Sequence, residues 1–189
     1  LAMVSVAAAR VPEVLQSCGE IGLKHIHILT SGFRETGTKE GRALDDRIRA
    51  VSREYGLMVV GPNCMGPYCP EAGLTAWGAI PGKSGTLGII SQSGGITQRL
   101  TEYTCSVNIG VAKAVSFGNA TVLGDIEFLE YMGGDENINV IAMYLESVRD
   151  GSAFLRTARA VNLKKPIILW KGGQSEAGAR TAASHTGAL

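Results

Sequence analysis

The stretch TLGIISQSGGITQRL, residues 86–100, decides how the second half of this chain folds. Its apolar start, Thr86–Ser91, predicts a strand. The serines and glycines that follow predict a turn into a helix from Gly94 to Cys105, because Ser91 or Ser93 can cap the helix start. A strand that leads directly into a helix is the repeating unit of a parallel α/β sheet.

The same alternation extends outward on both sides of this stretch. Residues 1–60 read as β-α-β-α-β, and residues 86–171 as β-α-β-α-β-α-β. Between them, residues 61–85 are rich in Gly and Pro and lack a sustained period, so we place a domain boundary there. The sequence therefore predicts two α/β domains with mainly parallel sheets. No initiator Met is present, and we expect the chain to be an internal piece of a longer protein.

Composition excludes several classes of function. The 189 residues carry a net charge of +1 and no basic stripe, so nucleic-acid binding has no support. No apolar run approaches the ~20 residues that span a bilayer. The four cysteines lack metal-binding spacing, which favours reduced thiols in a cytoplasmic protein. His25 and His27 are interpreted as sheet-surface residues, because no third ligand is in view, and no metal site is predicted.

The residues that follow each predicted strand indicate where a ligand binds, since open parallel sheets bind ligands beyond the carboxyl ends of their strands. The turn formed by Ser91, Gln92, Ser93, Gly94 and Gly95 is the best anion site, because a helix start offers unpaired N–H groups and partial positive charge. A plain helix cap is the alternative. Glu146 ends an apolar strand, either as a solvated strand end or as a carboxylate that orients a histidine.

The segment KGGQSEAGARTAASHTGAL, residues 171–189, follows the last predicted strand. It is rich in Gly and Ala and has little to bury, so we expect a mobile surface loop. His185 lies within it and titrates near neutral pH. It is either a surface histidine in a flexible tail or a group that carries something between two places.

Taken together, these motifs resemble the NDP-forming acyl-CoA synthetases. The motifs are GPNCMG (61–66), SQSGG (91–95), SFGNA (116–120), YLES (144–147) and the segment 171–189, with SGFRETG (31–37) similar to the CoA-binding domain of that family. This family includes ADP-forming acetate–CoA ligases and is related to the succinyl-CoA synthetase α subunit. The resemblance implies the end of a Rossmann-like CoA-binding domain at 1–66, a linker at 67–85 and a flavodoxin-like domain at 86–189.

The resemblance also implies a chemistry and a set of roles. His185 would become phosphohistidine, Glu146 would hold it, and the turn at 91–95 would bind its phosphate. Asn63, Cys64, Gly118 and Asn119 would contact the acyl group. Cys64 is interpreted as a lining residue rather than a nucleophile, because no base adjoins it in sequence.

The ligands implied by the family are an acyl-CoA or a small carboxylic acid, CoA, and ATP or ADP with Mg²⁺. The nucleotide and Mg²⁺ would be bound by an ATP-grasp domain or subunit outside this chain, in an oligomeric enzyme of the cytoplasm. The family's Gly-rich CoA loop and ATP-grasp domain are absent from these residues.

Two other functions remain open. One is a regulatory acyl-CoA-synthetase-like module of a protein acetyltransferase, although retention of His185 within its motif favours an enzyme. The other is a flavodoxin-like or receiver-like binding domain, which lacks its expected acidic cluster here. The identity of the acyl group, and ADP versus GDP, are left open.

Overall fold

A computed structural model describes residues 1–77, 82, 84–174 and 178. The elements of the first half are β1 (Ala2–Val4), α1 (Val11–Glu20), β2 (His25–Ile28), α2 (Lys39–Tyr55) and β3 (Met58–Val60). Its sheet is parallel, with strand order β1-β2-β3. Helix α2 begins where the Thr38 hydroxyl accepts the Gly41 N–H and ends at Gly56, which has a left-handed backbone.

The elements of the second half are β4 (Gly66–Cys69), β5 (Leu74–Thr75), β6 (Leu87–Ser91), α3 (Gly94–Ser106), β7 (Val111–Ser116), α4 (Asp125–Gly134), β8 (Val140–Leu145), α5 (Gly151–Asn162) and β9 (Ile167–Lys171). The second sheet has six strands in the order β5-β4-β7-β6-β8-β9. Strands β7, β6, β8 and β9 are parallel to one another, as the sequence predicts.

Adjacent isoleucines on β6 show how the helices cover this sheet. Ile89 packs in a cluster with Cys105 of α3, whereas Ile90 packs with Leu129 of α4 and Phe154 of α5. Successive side chains of a strand point to opposite faces. Helix α3 therefore covers one face, and α4 and α5 cover the other. The prediction of an α/β fold with mainly parallel sheets is confirmed.

Part of the predicted linker at 67–85 forms regular structure. Its first part forms β4 and β5, which extend the second sheet with antiparallel pairing. Tyr68 and Trp77 are buried there and stack with ring centroids 5.2 Å apart. Short strands that contain Gly66 and Pro67 produce no alternation that sequence analysis can detect. The division of the chain into domains at 1–66 and 86–189, joined by a linker at 67–85, stays a prediction.

The two sheets meet along a seam of backbone hydrogen bonds. Residues 117–123 run beside residues 59–63, and the N–H groups of Asn119, Thr121 and Leu123 donate to carbonyls of that segment at 3.1–3.2 Å. One buried side-chain bond reinforces the seam, since the Thr121 hydroxyl donates to Asp45 on α2 at 2.6 Å. Asp45 is 2% exposed and also pairs with Arg34 and Arg49.

Replacing Thr121 by Val should destabilise the protein by about 1–3 kcal/mol, because the buried Asp45 carboxylate loses a hydrogen bond while side-chain volume is kept. Urea unfolding would measure the loss. Thr157→Val is the matched control: Thr157 donates to Glu130 at an exposed position, so its effect should stay within about 0.5 kcal/mol. Equal effects of the two substitutions would contradict the importance of the seam.

Candidate active site

The turn between β6 and α3 is built by its own serines. The Ser93 hydroxyl caps the helix by accepting the Ile96 N–H at 3.3 Å. The Ser91 hydroxyl accepts the Ser93 N–H at 3.1 Å and donates to the Ser93 carbonyl at 2.9 Å. Gly94 and Gly95 occupy the first turn of α3, where N–H groups have no helical partner. The arrangement presents a partially positive helix start at the carboxyl edge of the sheet.

Gln92 joins this turn to Glu146. Its side-chain carbonyl accepts the N–H groups of Glu146 at 2.5 Å and Ser147 at 2.8 Å, and its amide nitrogen donates to the Ser147 hydroxyl at 3.1 Å. The neighbouring strands β6 and β8 are thus locked together where both end. The turn at 91–95, predicted to bind phosphate, and Glu146, predicted to hold the phosphohistidine, therefore lie side by side.

The structure narrows the roles predicted for the turn. Ser91 is fully buried and Gln92 is 8% exposed, and the side chains of both hold the fold together as described above. The missing Cβ of Gly94 makes room for Met65, whose Cγ would lie 2.7 Å from it. Gly95 is exposed and faces open space. Phosphate binding by residues 91–95 stays a prediction, with the Gly95 end of the turn as the accessible part.

Glu146 has neighbours that the sequence analysis did not assign to the site. The Tyr144 hydroxyl donates to its carboxylate at 3.3 Å, and Lys171 donates to its backbone carbonyl at 2.7 Å. Burial, followed by the Glu146 charge, raises the pKa of Tyr144. Their positions at the ends of β8 and β9 are the signal that could have identified them. His185 lies outside the described residues, so its contact with Glu146 stays a prediction.

The residues predicted to contact the acyl group come together at the seam. The Asn63 amide donates to the side-chain oxygen of Asn119 at 3.3 Å. Gly118 has a left-handed φ of 52°, and a Cβ there would lie 2.3 Å from the Asn63 carbonyl oxygen, so only glycine fits. Cys64 follows Asn63 but is buried, with its thiol 3.7 Å from the Ile28 carbonyl.

Cys64 is unsuited to nucleophilic chemistry, because burial raises the pKa of its thiol to about 12. This favours the interpretation of Cys64 as a lining residue.

His27 corrects an expectation: it is fully buried rather than on the sheet surface. Its Nε2 lies 3.4 Å from the Cys64 carbonyl, and its ring fills the space beside Gly66. Burial lowers the pKa of His27, which outweighs the raising effect of the Cys64 carbonyl.

An apolar groove of about 950 Å³ runs beside α3 and reaches the turn at Ser91 and Gly95. No motif in the sequence indicates this groove. Trp170 on β9 and Tyr103 on α3 line it and are exposed.

Among the described residues, no group of three or more His, Cys, Asp or Glu side chains could hold a metal ion.

A mainly parallel sheet with a glycine-rich helix start and a carboxylate at its carboxyl edge defines an α/β protein. Residues 84–189 match the succinyl-CoA ligase like flavodoxin domain. The chain therefore belongs to the succinyl-CoA ligase family, as its motifs indicate.

Similar proteins agree with this assignment. The chain is 41% identical to the acetate–CoA ligase [ADP-forming] I α subunit of Pyrococcus furiosus. That match covers the whole of this chain and 41% of the subunit. It is 34% identical to a 4-hydroxybutyrate–CoA ligase [ADP-forming] of Nitrosopumilus maritimus, of which it covers 28%.

Among solved structures, a dinucleotide-forming acetyl-coenzyme A synthetase of Candidatus Korarchaeum cryptofilum, in complex with phosphate and ADP, superimposes with a TM-score of 0.89 at 39% identity. That match covers 99% of this chain and 40% of the other. The chain thus spans about two fifths of these relatives or less. Each of the three is a ligase or synthetase, and the regulatory alternative gains no support from them. Within the described residues, no helix has the length and apolar character to cross a membrane.

The buried His27 predicts a pH dependence of stability. Its folded-state pKa lies below the ordinary 6.5, so the unfolded chain takes up the proton first as pH falls. The His27 contribution is complete above pH ~6.5 and is lost below it, at up to about 1.4 kcal/mol per pH unit. Urea unfolding between pH 7.5 and 5 should show a shallower acid loss in His27→Asn. His25→Asn, at an exposed position, should keep the wild-type slope; identical slopes in all three proteins would contradict the argument.

The open space at Gly95 predicts a selective effect on anion binding. A side chain in the first turn of a helix points toward the helix start, so Gly95→Val should obstruct that end without clashing with the protein. We expect phosphate affinity of the complete protein, measured by calorimetry, to fall roughly 10-fold. Gly134→Val at the end of α4, which also faces open space, should leave affinity unchanged. Unaltered phosphate binding in Gly95→Val would argue against this site.

Proposed function

We propose that this chain is the part of an NDP-forming acyl-CoA synthetase that carries the end of its CoA-binding domain and its flavodoxin-like domain. The complete enzyme interconverts acyl-CoA, ADP and phosphate with a carboxylic acid, CoA and ATP. Phosphate oxygen displaces the CoA sulfur from the acyl carbon, which gives acyl phosphate and free CoA. The phosphoryl group then passes to His185, releasing the carboxylate, and from His185 to ADP.

The observation that carries the proposal is the meeting of the SQSGG helix start with the Glu146 backbone through Gln92. A helix start stabilises phosphate oxygens through N–H groups and partial charge. A carboxylate beside it suits a histidine that alternates between neutral and phosphorylated forms. Both features lie at the carboxyl edge of the sheet, on a chain whose residues 84–189 match the succinyl-CoA ligase family.

His185 is the proposed phosphoryl carrier. A neutral imidazole is nucleophilic, and its phosphoramidate is a good phosphoryl donor. Glu146 would orient the ring, while the Gly95 end of the α3 turn would receive the phosphoryl group. Asn63, Gly118 and Asn119 would form the acyl site, with Cys64 as a buried support behind it.

The remaining partners follow from the proposed reaction. ATP or ADP and Mg²⁺ would be held by an ATP-grasp domain or subunit outside these residues, in an oligomeric cytoplasmic enzyme. The acyl group is a small carboxylic acid. The relatives named above use acetate or 4-hydroxybutyrate according to their names, so a panel that includes acetate, 4-hydroxybutyrate and succinate should find the substrate.

We expect the complete enzyme, incubated with γ-labelled ATP and Mg²⁺, to acquire an acid-labile, base-stable phosphate. His185→Ala and His185→Asn should abolish both this label and acyl-CoA synthesis, because neither side chain can accept the phosphoryl group. Glu146→Gln should slow labelling roughly 10–100-fold without removing it, since it changes a partner of the acceptor and not the acceptor itself. Rapid-quench labelling measures both effects.

His25→Ala is the control for general loss of a histidine, because His25 is exposed on the first sheet, and it should label normally. Label that persists in His185→Ala, or that is found on serine, would overturn the phosphohistidine mechanism. Label without turnover of any acid in the panel would retain the carrier and exclude the proposed acyl substrates.

A further inference from the structure

Glu35 lies at the junction of three loops, and nothing in the proposed mechanism uses it. One carboxylate oxygen accepts the N–H groups of Gly32 at 2.6 Å and Phe33 at 3.2 Å. The other accepts the Phe33 N–H at 3.2 Å and the Asn119 side-chain amide at 2.5 Å. Both oxygens therefore face donors, so the carboxylate is an acceptor toward Asn119.

This acceptor determines the orientation of two amide side chains in succession. An amide has a donor end and an acceptor end. Because Asn119 directs its nitrogen to Glu35, its oxygen faces Asn63 and accepts the Asn63 amide nitrogen at 3.3 Å. The nitrogen of Asn63 is thereby turned toward Asn119. The oxygen and nitrogen ends of an amide are nearly equal in size, so hydrogen-bond partners such as Glu35 distinguish its two orientations.

We propose that Glu35 is a positioning residue for the acyl site, acting through a hydrogen-bond relay from Glu35 through Asn119 to Asn63. The relay sets which end of the Asn63 amide faces the acyl group, and so whether that group meets a donor or an acceptor. This proposal rests on the proposed function, in which Asn63 contacts the acyl group.

The backbone around the relay supports a positioning role. Asn63 has a left-handed φ of 57°, and Gly118 packs against its carbonyl, so the backbone at this position has one conformation. The Asn119 N–H is fixed on the Pro62 carbonyl at 3.1 Å. With both backbones held, the orientation of the two amides is the variable on which Glu35 acts, through its bond to Asn119. Loop 31–37 of the first half thereby reaches the loops at 61–66 and 116–120.

The direction of the hydrogen bonds in the relay can be tested by exchanging the carboxylate and amide groups at positions 35 and 119. In Glu35→Gln, the side-chain oxygen keeps the Gly32 N–H and the new nitrogen faces Asn119, so both asparagines must invert. We expect the complete enzyme to show a KM for acetate raised roughly 10-fold, with KM for ATP unchanged. Asn119→Asp should also raise KM for acetate, because two carboxylates then face each other. In the double variant Glu35→Gln/Asn119→Asp, the new amide can donate to one oxygen of the new carboxylate, while the other oxygen accepts the Asn63 amide as in the wild type. Its KM for acetate should therefore be lower than that of either single variant.

A second readout needs no enzymatic activity. Asn63→Asp places an acceptor against the Asn119 oxygen and should lower the melting temperature. Glu35→Gln should lower the melting temperature of the wild type but raise that of Asn63→Asp, because inverted Asn119 offers its nitrogen to the new carboxylate. Glu71→Gln, an exposed change of the same charge, should shift neither protein.

The outcomes separate this proposal from the proposed function. The relay would be overturned if the effects of Glu35→Gln and Asn119→Asp on KM for acetate were additive in the double variant and Glu35→Gln also lowered the melting temperature of Asn63→Asp. Glu35 would then have only a structural role. If Glu35→Gln raises the melting temperature of Asn63→Asp but the enzyme turns over no acid, the relay is retained and the proposed function is overturned. If Glu35→Gln raises the melting temperature of Asn63→Asp but leaves KM for acetate unchanged in the wild-type background, the positioning role is overturned.

Discussion

The buried carboxylate of Asp45 is the constraint on which the arrangement of the two halves depends. A charge that is 2% exposed must be hydrogen-bonded and paired. Two arginines of the first half satisfy it in part, and the Thr121 hydroxyl of the second half supplies a bond at 2.6 Å. The segment 117–123 is thereby drawn against 59–63. Every contact between the predicted acyl-site residues follows from that alignment.

Polar side chains near the strand ends of both halves bond to backbone groups. Glu35 satisfies N–H groups of its own loop, Gln92 satisfies those after β8, and His27 faces the Cys64 carbonyl. Loops at strand ends have few regular partners for their N–H and C=O groups, and buried groups cannot use water. Side chains that supply these partners give the loops single conformations. A site built from such loops is held in place before any ligand arrives.

Sequence patterns anticipated the parts of the structure that local spacing encodes. Apolar runs separated by helical periods located β6, α3 and the parallel order of the second sheet, and SQSGG marked the capped helix start. The strands β4 and β5 were not anticipated, since Gly66 and Pro67 interrupt their pattern. The burial of His27 was missed because its neighbour Gly66 lies far along the chain. The bond from Asn119 to Glu35 joins residues 84 positions apart, and the bond from Glu146 to Gln92 joins residues 54 apart. Such pairings arise from tertiary packing, which no window of sequence contains.

Reactive residue types alone would have directed attention to the wrong group. Cys64 lies in a conspicuous loop beside Asn63, yet burial keeps its thiol neutral and turns it toward the Ile28 carbonyl. The start of α3 and the side chains of Asn63 and Asn119 instead present backbone N–H donors and carboxamides, which cannot act as nucleophiles. Such groups bind and orient oxygen atoms of phosphate and carboxyl compounds without forming covalent bonds to them. In the proposed function, such groups would hold the reactants of the phosphoryl transfer, and the covalent step would belong to His185.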